Sequence, residues 1–433
     1  MKFSQQCGTR DLEFEYPDKH VLGVLESNPV ELPGGTPEEL IRRALDEPVG
    51  SPKLGEIVNP GETVAVIVPD ITRAWQSIDV YTPVIIEELE KAGIRDEDIT
   101  IISATGTHRR QSEEEHRKLV SDAVYDRIKV VDHVCTDADM HVQIGTTSRG
   151  TPVLIDRRAA EADRIILTGA VVYHFLAGFG GGRKMILPGI SARETIMKNH
   201  SLALNPGMGS GSNPKVRSGN MNDTNPFHAD MLEAAKMAHP DFLFNVVADS
   251  DFNIIKCFAG DFEKAHTEGA ELVDRKDGVR LPCRSDVTIA TAGGFPKDIN
   301  FYQTSKTFFN TVAATKKGGT MIVVSACSEG LGDKDLEHIL CDFDNMKDRE
   351  KAVRDNFSIG GFVGFQAAEA AETFNFILVT EMDEKPFASS KIHVVRDIEE
   401  ALALTRSLTG SDELDAWIMP HGANTMPKIA GEC

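Results

Sequence analysis

From residue 63 onward, short and wholly apolar runs alternate with longer stretches whose apolar positions recur every three or four residues. TVAVIVP (63–69) predicts a buried strand, and VYTPVIIEELEKAG (80–93) after it predicts a helix. ITIISATG (99–106), RIKVVDH (127–133) and DRIILTGA (163–170) predict further strands. Between them, SEEEHRKLVSDA (112–123) opens with a serine followed by acids, a helix N-terminal signal. The rhythm restarts after residue 284 with SDVTIATAGG, a helix through TSKTFFNTVAATKKGG, and the runs TMIVVSA, FNFILVTE and KIHVVR. Strand-helix alternation of this kind predicts an α/β protein whose mainly parallel sheets are covered by helices.

A chain of 433 residues is too long for one ordinary core, which predicts two domains. The charged stretch VDRKDGVRLPCR (273–284) supplies the boundary. Residues 1–274 are expected to form a catalytic and cofactor-binding domain, and 275–433 a smaller α/β domain whose last residues pack back on the first. The active site is expected in the cleft between them. The Gly-, Asn-, Ser- and Pro-rich stretch 201–231 reads as a long ordered loop near a site, because a helical pattern resumes at MLEAAKMAH.

Composition narrows the partners. The hydrophobic fraction of 41% and charged fraction of 26% are those of a soluble globular protein. A net charge of −21 argues against nucleic acid or an anionic membrane as partner, although a local basic cluster can still receive an anion. No window approaches the roughly 18 apolar residues of a membrane span, and MKFSQQCGTRDLEFEYPDKH lacks the apolar core of a signal peptide. The 7 cysteines are scattered, odd in number and without a CxxC pair, which predicts reduced thiols in a cytoplasmic protein.

In open parallel sheets, ligands bind beyond the carboxyl ends of the strands. Four polar clusters fall there: PDITR (69–73), ATGTHRR (104–110), GAVVYHF (169–175) and TAGGFPKDINFYQTSK (291–306). The third leads into YHFLAGFGGGRKMILPG (173–189), a glycine-rich run ending in two cations. GxxxxGK[ST] fails because Arg183 and Met185 stand where glycine and a hydroxyl are needed; GxGxxG fails because its third glycine falls at Arg183. Gly178, Gly180, Gly181 and Gly182 still allow a ligand close to the backbone, and Arg183 and Lys184 add charge. A tight turn with two surface cations is the alternative. Lys184 also carries an amine able to bond to a carbonyl or carboxyl group of a cofactor. His108 and His174 end two strands, where a side chain that titrates near neutrality serves as acid-base catalyst or metal ligand. His200 closes a predicted helix. Arg73 suits a carboxylate held by two parallel hydrogen bonds, and Lys297 and Lys306 are further cations; a simple Asp70–Arg73 pair is the alternative. Trp75 and Tyr302 either line a pocket or pack. Neither HExxH nor GxSxG occurs, so a zinc hydrolase and a serine triad are unsupported.

Taken together, PDITR, GTHR, YHFLAGFGGGRKMILPGI, the Asn199-His200 pair and PKDINFYQTSK resemble the nickel-pincer lactate racemase family, across both predicted domains. The resemblance implies a racemase or epimerase of a small 2-hydroxy acid. Its cofactor would be a nickel complex of a pyridinium-3-thioamide-5-thiocarboxylate mononucleotide, bonded to Lys184, with His200 as the protein's nickel ligand. His108 and His174 would be the acid-base pair; Asp70, Gly180, Gly181, Gly182 and Arg183 would contact the cofactor; Arg73, Tyr302, Gln303 and Lys306 would contact the substrate. In that chemistry the substrate C2 hydrogen leaves as hydride while a base takes the hydroxyl proton, and return to either face of a planar 2-keto acid gives either configuration. Family members act on lactate and on larger 2-hydroxy acids. The implied partners are the substrate anion and the enzymes that assemble the cofactor. Two rival readings are an oxidoreductase with a freely dissociating nucleotide and a non-catalytic carrier of the nickel cofactor.

Overall fold

The computed structural model describes residues 1–429. The chain forms two compact units, one made of Val30–Leu202 with Lys215–Asp274, the other of Met1–Pro29, Ala203–Pro214 and the chain from Arg275 on.

The first unit is built on a six-stranded sheet. Its strands are β1 (Val64–Pro69), β2 (Ile99–Ala104), β3 (Lys129–Asp132), β4 (Arg164–Ala170), β5 (Phe242–Ala248) and β6 (Ile254–Gly260), in the spatial order β6-β5-β4-β1-β2-β3. All pairs are parallel except β5–β6. Every residue of β1 is buried, as expected for a strand covered on both faces. Helix α1 (Ile78–Lys91) packs Ile78, Tyr81, Ile85 and Leu89 into the core that β1, β2 and β5 share. The chain moves outward from β1 through β2 to β3, then returns to place β4 on the other side of β1. The strand order therefore reverses between β1 and β4, the switch point beside which open α/β sheets commonly bind ligands.

The second unit repeats the plan with β7 (Ser285–Thr291), β8 (Thr315–Val324), β9 (Asn375–Val379), β10 (His393–Val395) and β11 (Ala416–Met419). These lie in the order β10-β9-β8-β7-β11, all parallel, and Val21–Val24 adds a parallel edge strand beside β11. The expected 1–274 domain is thus not continuous. The first 29 residues go with the second unit because Val21–Val24 completes its sheet, and because the hairpin of Lys2–Cys7 and Arg10–Glu15 buries Cys7 and Phe14 in its core. The last described strand, Met426–Ile429, pairs with Gly278–Leu281 in the same unit. Residues 430–433, part of the tail expected to pack back on the first domain, lie outside the described residues.

Two helices differ from expectation. The stretch 112–123 is capped by Ser112 as its sequence predicts, but it breaks at Ser121, which has φ 76°. The helix expected through residue 319 ends at Ala314, and TKKGG joins β8. Among the described residues, no helix is long and apolar enough to cross a membrane.

Ile67 lies in the middle of β1 and is fully buried. Ile67→Ala is expected to cost about 2–5 kcal/mol, read as a lower denaturation midpoint of the first unit.

Candidate active site

The loops that follow β4, β1 and β2, three adjacent strands, carry the candidate side chains of the first unit. At the end of β1, buried Asp70 accepts the Thr72 hydroxyl on Oδ1 at 2.6 Å and is hydrogen-bonded through Oδ2 to Nδ1 of His108. Burial works to raise the Asp70 carboxyl, but the bond to His108 and its charge, with help from Thr72 and Arg73, hold it below its ordinary value. An ionised carboxylate only accepts, so Nδ1 of His108 is the protonated nitrogen and Nε2 carries the lone pair. The His108 side chain is 47% exposed. Asp70 thereby orients this histidine.

Arg73 lies exposed and donates to the carbonyl and hydroxyl of Thr72 at 3.4 and 3.2 Å. Among the described residues no ion pair joins it to Asp70, so its fork remains suited to a carboxylate from outside. Gln111 fastens these loops together. Its Oε1 accepts the Ile71 amide at 2.6 Å, and its Nε2 donates to Ser103 Oγ and Asp132 Oδ1, both at 2.7 Å.

At the end of β4, Tyr173 and His174 pair antiparallel with Gly178 and Phe179. The Leu176 and Ala177 amides both donate to His174 Nδ1 at 3.2 Å. Nδ1 is therefore an acceptor, and the neutral ring carries its proton on Nε2. His108 and His174 are held in opposite tautomers.

The glycine loop turns inward. A Cβ at Gly181 (φ +73°) would lie 2.7 Å from Asn245 Oδ1 and 2.8 Å from the Ala170 carbonyl; one at Gly182 (φ +52°) would lie 2.7 Å from the His266 ring. At Gly180 it would meet Val172 at 3.3 Å. On the side where a Cβ would stand, these glycines admit the protein's own chain. Arg183 is likewise buried, donating to the carbonyl of Ala177 at 2.6 Å, with Nη1 3.4 Å from Nδ1 of His266, the nitrogen left to accept because Nε2–H donates to the Gly180 carbonyl. Burial pulls its guanidinium down to about 9. It braces the loop instead of offering surface charge.

Lys184 follows in a short 3-10 turn, Gly182–Met185, and is only partly buried. Its ammonium acts on His200, the last residue of α2 (Arg193–His200). Burial first, then Lys184, push His200 down to about 3 against a small opposing effect of the Ile196 carbonyl. His200 Nδ1–H donates to that carbonyl at 2.8 Å, leaving Nε2 as the lone-pair nitrogen. A backbone carbonyl that fixes the tautomer in this way is the usual support of a metal-bound imidazole. Helix α3 (Pro226–Met237) sets the Phe227 ring edge-on to His200 at 4.8 Å. Among the described residues, no cluster of three or more His, Cys, Asp or Glu could hold a metal ion by itself.

In the second unit, the loop after β7 leads into α4 (Phe301–Ala314), capped by Asn300, whose Oδ1 accepts the Gln303 amide at 2.9 Å. Gln303 and exposed Lys306 share a face and are joined at 3.2 Å from Nζ to Oε1. Tyr302, on the same first turn, is half-buried, and its amide donates to the Leu331 carbonyl at 3.1 Å.

Three supporting residues escaped the sequence reading. Asn245 accepts the Gly182 amide at 3.0 Å, and its sequence signal was a polar residue inside the apolar strand FLFNVVA. Gln111 follows the GTHRR motif. His266, on the helix Lys264–Asp277, holds the Gly180 carbonyl at 2.7 Å, and nothing in AHTEGAE sets it apart.

Removing Asn245 leaves the Gly182 amide unmet. Asn245→Ala is expected to cost about 1–3 kcal/mol and to speed amide exchange across 180–185, measured by mass spectrometry. Acid is a second lever. His200 and His266 are held near 3 and His228 near 2, all by burial first and then nearby positive charge, against an ordinary value of 6.5. Their folded values are depressed, so the stability they contribute is complete above 6.5 and drains as pH falls through the window down to about 3. The expected result is a melting temperature that falls steadily on acidification below 6.5. In His228→Gln the fall is expected to flatten by about one proton's worth of slope.

Residues 7–211 match the model of a lactate racemase N-terminal domain, and 281–426 that of a lactate racemase C-terminal domain. A lactate racemase of Lactiplantibacillus plantarum is 38% identical over 312 residues, 72% of this chain and 71% of that one. One from Thermoanaerobacterium thermosaccharolyticum is 31% identical over 428 residues, 97% of each chain. The structure of the lactate racemase apoprotein from the same organism superposes with a TM-score of 0.89 at 28% identity, covering 99% of this chain and all of that one. A Thermotoga maritima protein shares the fold at 19% identity and TM-score 0.64, over 91% of this chain and 99% of its own. With both domain models matched in order and a relative aligned over nearly its whole length, this chain is an isomerase that belongs to the lactate racemase family.

Proposed function

We propose that the chain interconverts the enantiomers of lactate or a closely related small 2-hydroxy acid, with a nickel-pincer nucleotide joined to Lys184. The observation that carries this reading is the pair of histidines in opposite tautomers, at the ends of strands on either side of β1. Inverting C2 requires the hydroxyl proton to leave on one side and a proton to be supplied on the other. His108 Nε2 takes the hydroxyl proton, and buried Asp70 stabilises the imidazolium that forms. His174 presents Nε2–H as a donor to the oxygen of the planar 2-keto acid. Arg73 holds the substrate carboxylate. When bound, the cofactor supplies the acceptor for the C2 hydrogen as hydride. Neutral His200, its Nδ1 engaged by Ile196, and the partly buried Lys184 amine beside it are donors that fit such a group. Its assembly enzymes are then obligate partners.

The test is a chiral assay across a panel of 2-hydroxy acids, using protein produced together with the cofactor-assembly enzymes, with intact and peptide masses taken on the same sample. Racemisation together with a mass increase on Lys184 is the expected outcome. Active, fully loaded protein with unmodified Lys184 and no nickel would sink the reading, as would activity that dialysis removes and free nucleotide restores. His108→Ala and His174→Ala are each expected to lower turnover by about 10²–10⁴-fold with nickel content unchanged; wild-type turnover in either variant removes that histidine from the mechanism.

A further inference from the structure

The segment Ala203–Pro214 belongs with the second unit, although α2 before it and α3 after it belong to the first. It folds as a small hairpin. The Asn213 amide donates to the Ala203 carbonyl at 2.8 Å and the Asn205 amide to the Gly211 carbonyl at 2.9 Å, with Leu204 and Ser212 bridged between them. Its tip is gripped by two carboxylates. Glu350 on α5 (Met346–Asp355) accepts the Gly209 and Gly211 amides at 2.8 and 3.2 Å. Glu369 on α6 (Ile359–Thr373) accepts the Ser212 amide at 3.0 Å. Arg354 bonds to Glu350 at 2.6 Å and donates onward to the Asn205 carbonyl at 2.8 Å. Glu350 is buried, and glycine amides converging on an anion are what a phosphate loop offers its ligand; here the protein's own carboxylate takes the anion's place.

Both legs of the hairpin lead to one ring. On the incoming leg, α2 ends at His200 and passes straight into the 3-10 turn Ser201–Ala203, with no loop between. On the outgoing leg, Asn220 binds the Lys215 carbonyl at 2.7 Å, and Asn225 binds the Asn220 carbonyl at 2.9 Å and caps α3. Two residues later stands Phe227, whose ring packs on His200 and whose carbonyl takes Asn199 Nδ2 at 3.1 Å.

We infer that Glu350, Arg354 and Glu369 are positioning residues for His200, acting through the hairpin they hold. The catalytic consequence rests on the reading of His200 as a metal ligand; the mechanical coupling does not.

The test uses Glu350→Gln with Glu369→Gln in one protein. Gly211→Ala is a second variant: it keeps both charges but drives a Cβ to within 2.3 Å of Glu369 Oε1 at a φ of +67°. In both, amide exchange across 203–213 is expected to rise about tenfold, with exchange across 196–202 rising in step. In cofactor-loaded protein, nickel affinity is expected to fall about tenfold, and kcat to fall while KM for the 2-hydroxy acid holds. A loosened hairpin with wild-type exchange at 196–202 and wild-type nickel retention would overturn the proposal. Coupled exchange alongside unchanged nickel in His200→Ala would uphold the coupling and overturn the ligand assignment instead.

Discussion

The reactive rim depends on one buried guanidinium. Arg183 reaches back to the Ala177 carbonyl, three residues beyond His174, and sideways to His266. Since Lys184 is its neighbour, this cation sets the turn bearing the amine and the turn bearing the histidine as one piece. The cost of burying it is visible in its own proton affinity, which burial alone pulls down to about 9. Asn245 and His266 then fix the loop from below by holding the Gly182 amide and the Gly180 carbonyl. Glycine is required because these contacts leave no room for a Cβ.

The same logic of a braced rim recurs at β1 and β2. Asp70 is placed by its strand, His108 by Asp70, and the loop between by Gln111. An imidazole presents one defined tautomer when one of its two nitrogens is already engaged. That condition holds for His108, His174 and His200, each through a different partner: a carboxylate, two backbone amides, and a helix carbonyl.

Much of the fold was legible because burial on both faces leaves an unambiguous signature. TVAVIVP and DRIILTGA have no competing reading, and their polar successors had to lie at the rim. What stayed hidden was non-local. The edge strand Val21–Val24 is short and contains a glycine, and its partner Ala416–Met419 lies near the other end of the chain. No local pattern can specify such pairing, so the split origin of the second unit was missed. In the site, residue identities and strand-end positions were readable, but tautomers were not, since they follow from which group approaches each ring. Arg183 shows the converse failure: a cation after glycines looks like surface charge until packing is known. The 201–231 stretch looked like a loop near a site, and its glycine amides are in part consumed by Glu350.

The inward turn of the glycine loop has a consequence for supply. The amides of Gly180, Gly182 and Lys184 are already spent on Val172, Asn245 and Gly181. These three amides are therefore not on offer to the phosphate of a nucleotide. A group attached at Lys184 would be kept by its covalent bond and would age with the polypeptide. Demand for it would then follow the rate at which the protein is made, one molecule for each chain, and would be indifferent to how often each chain turns over.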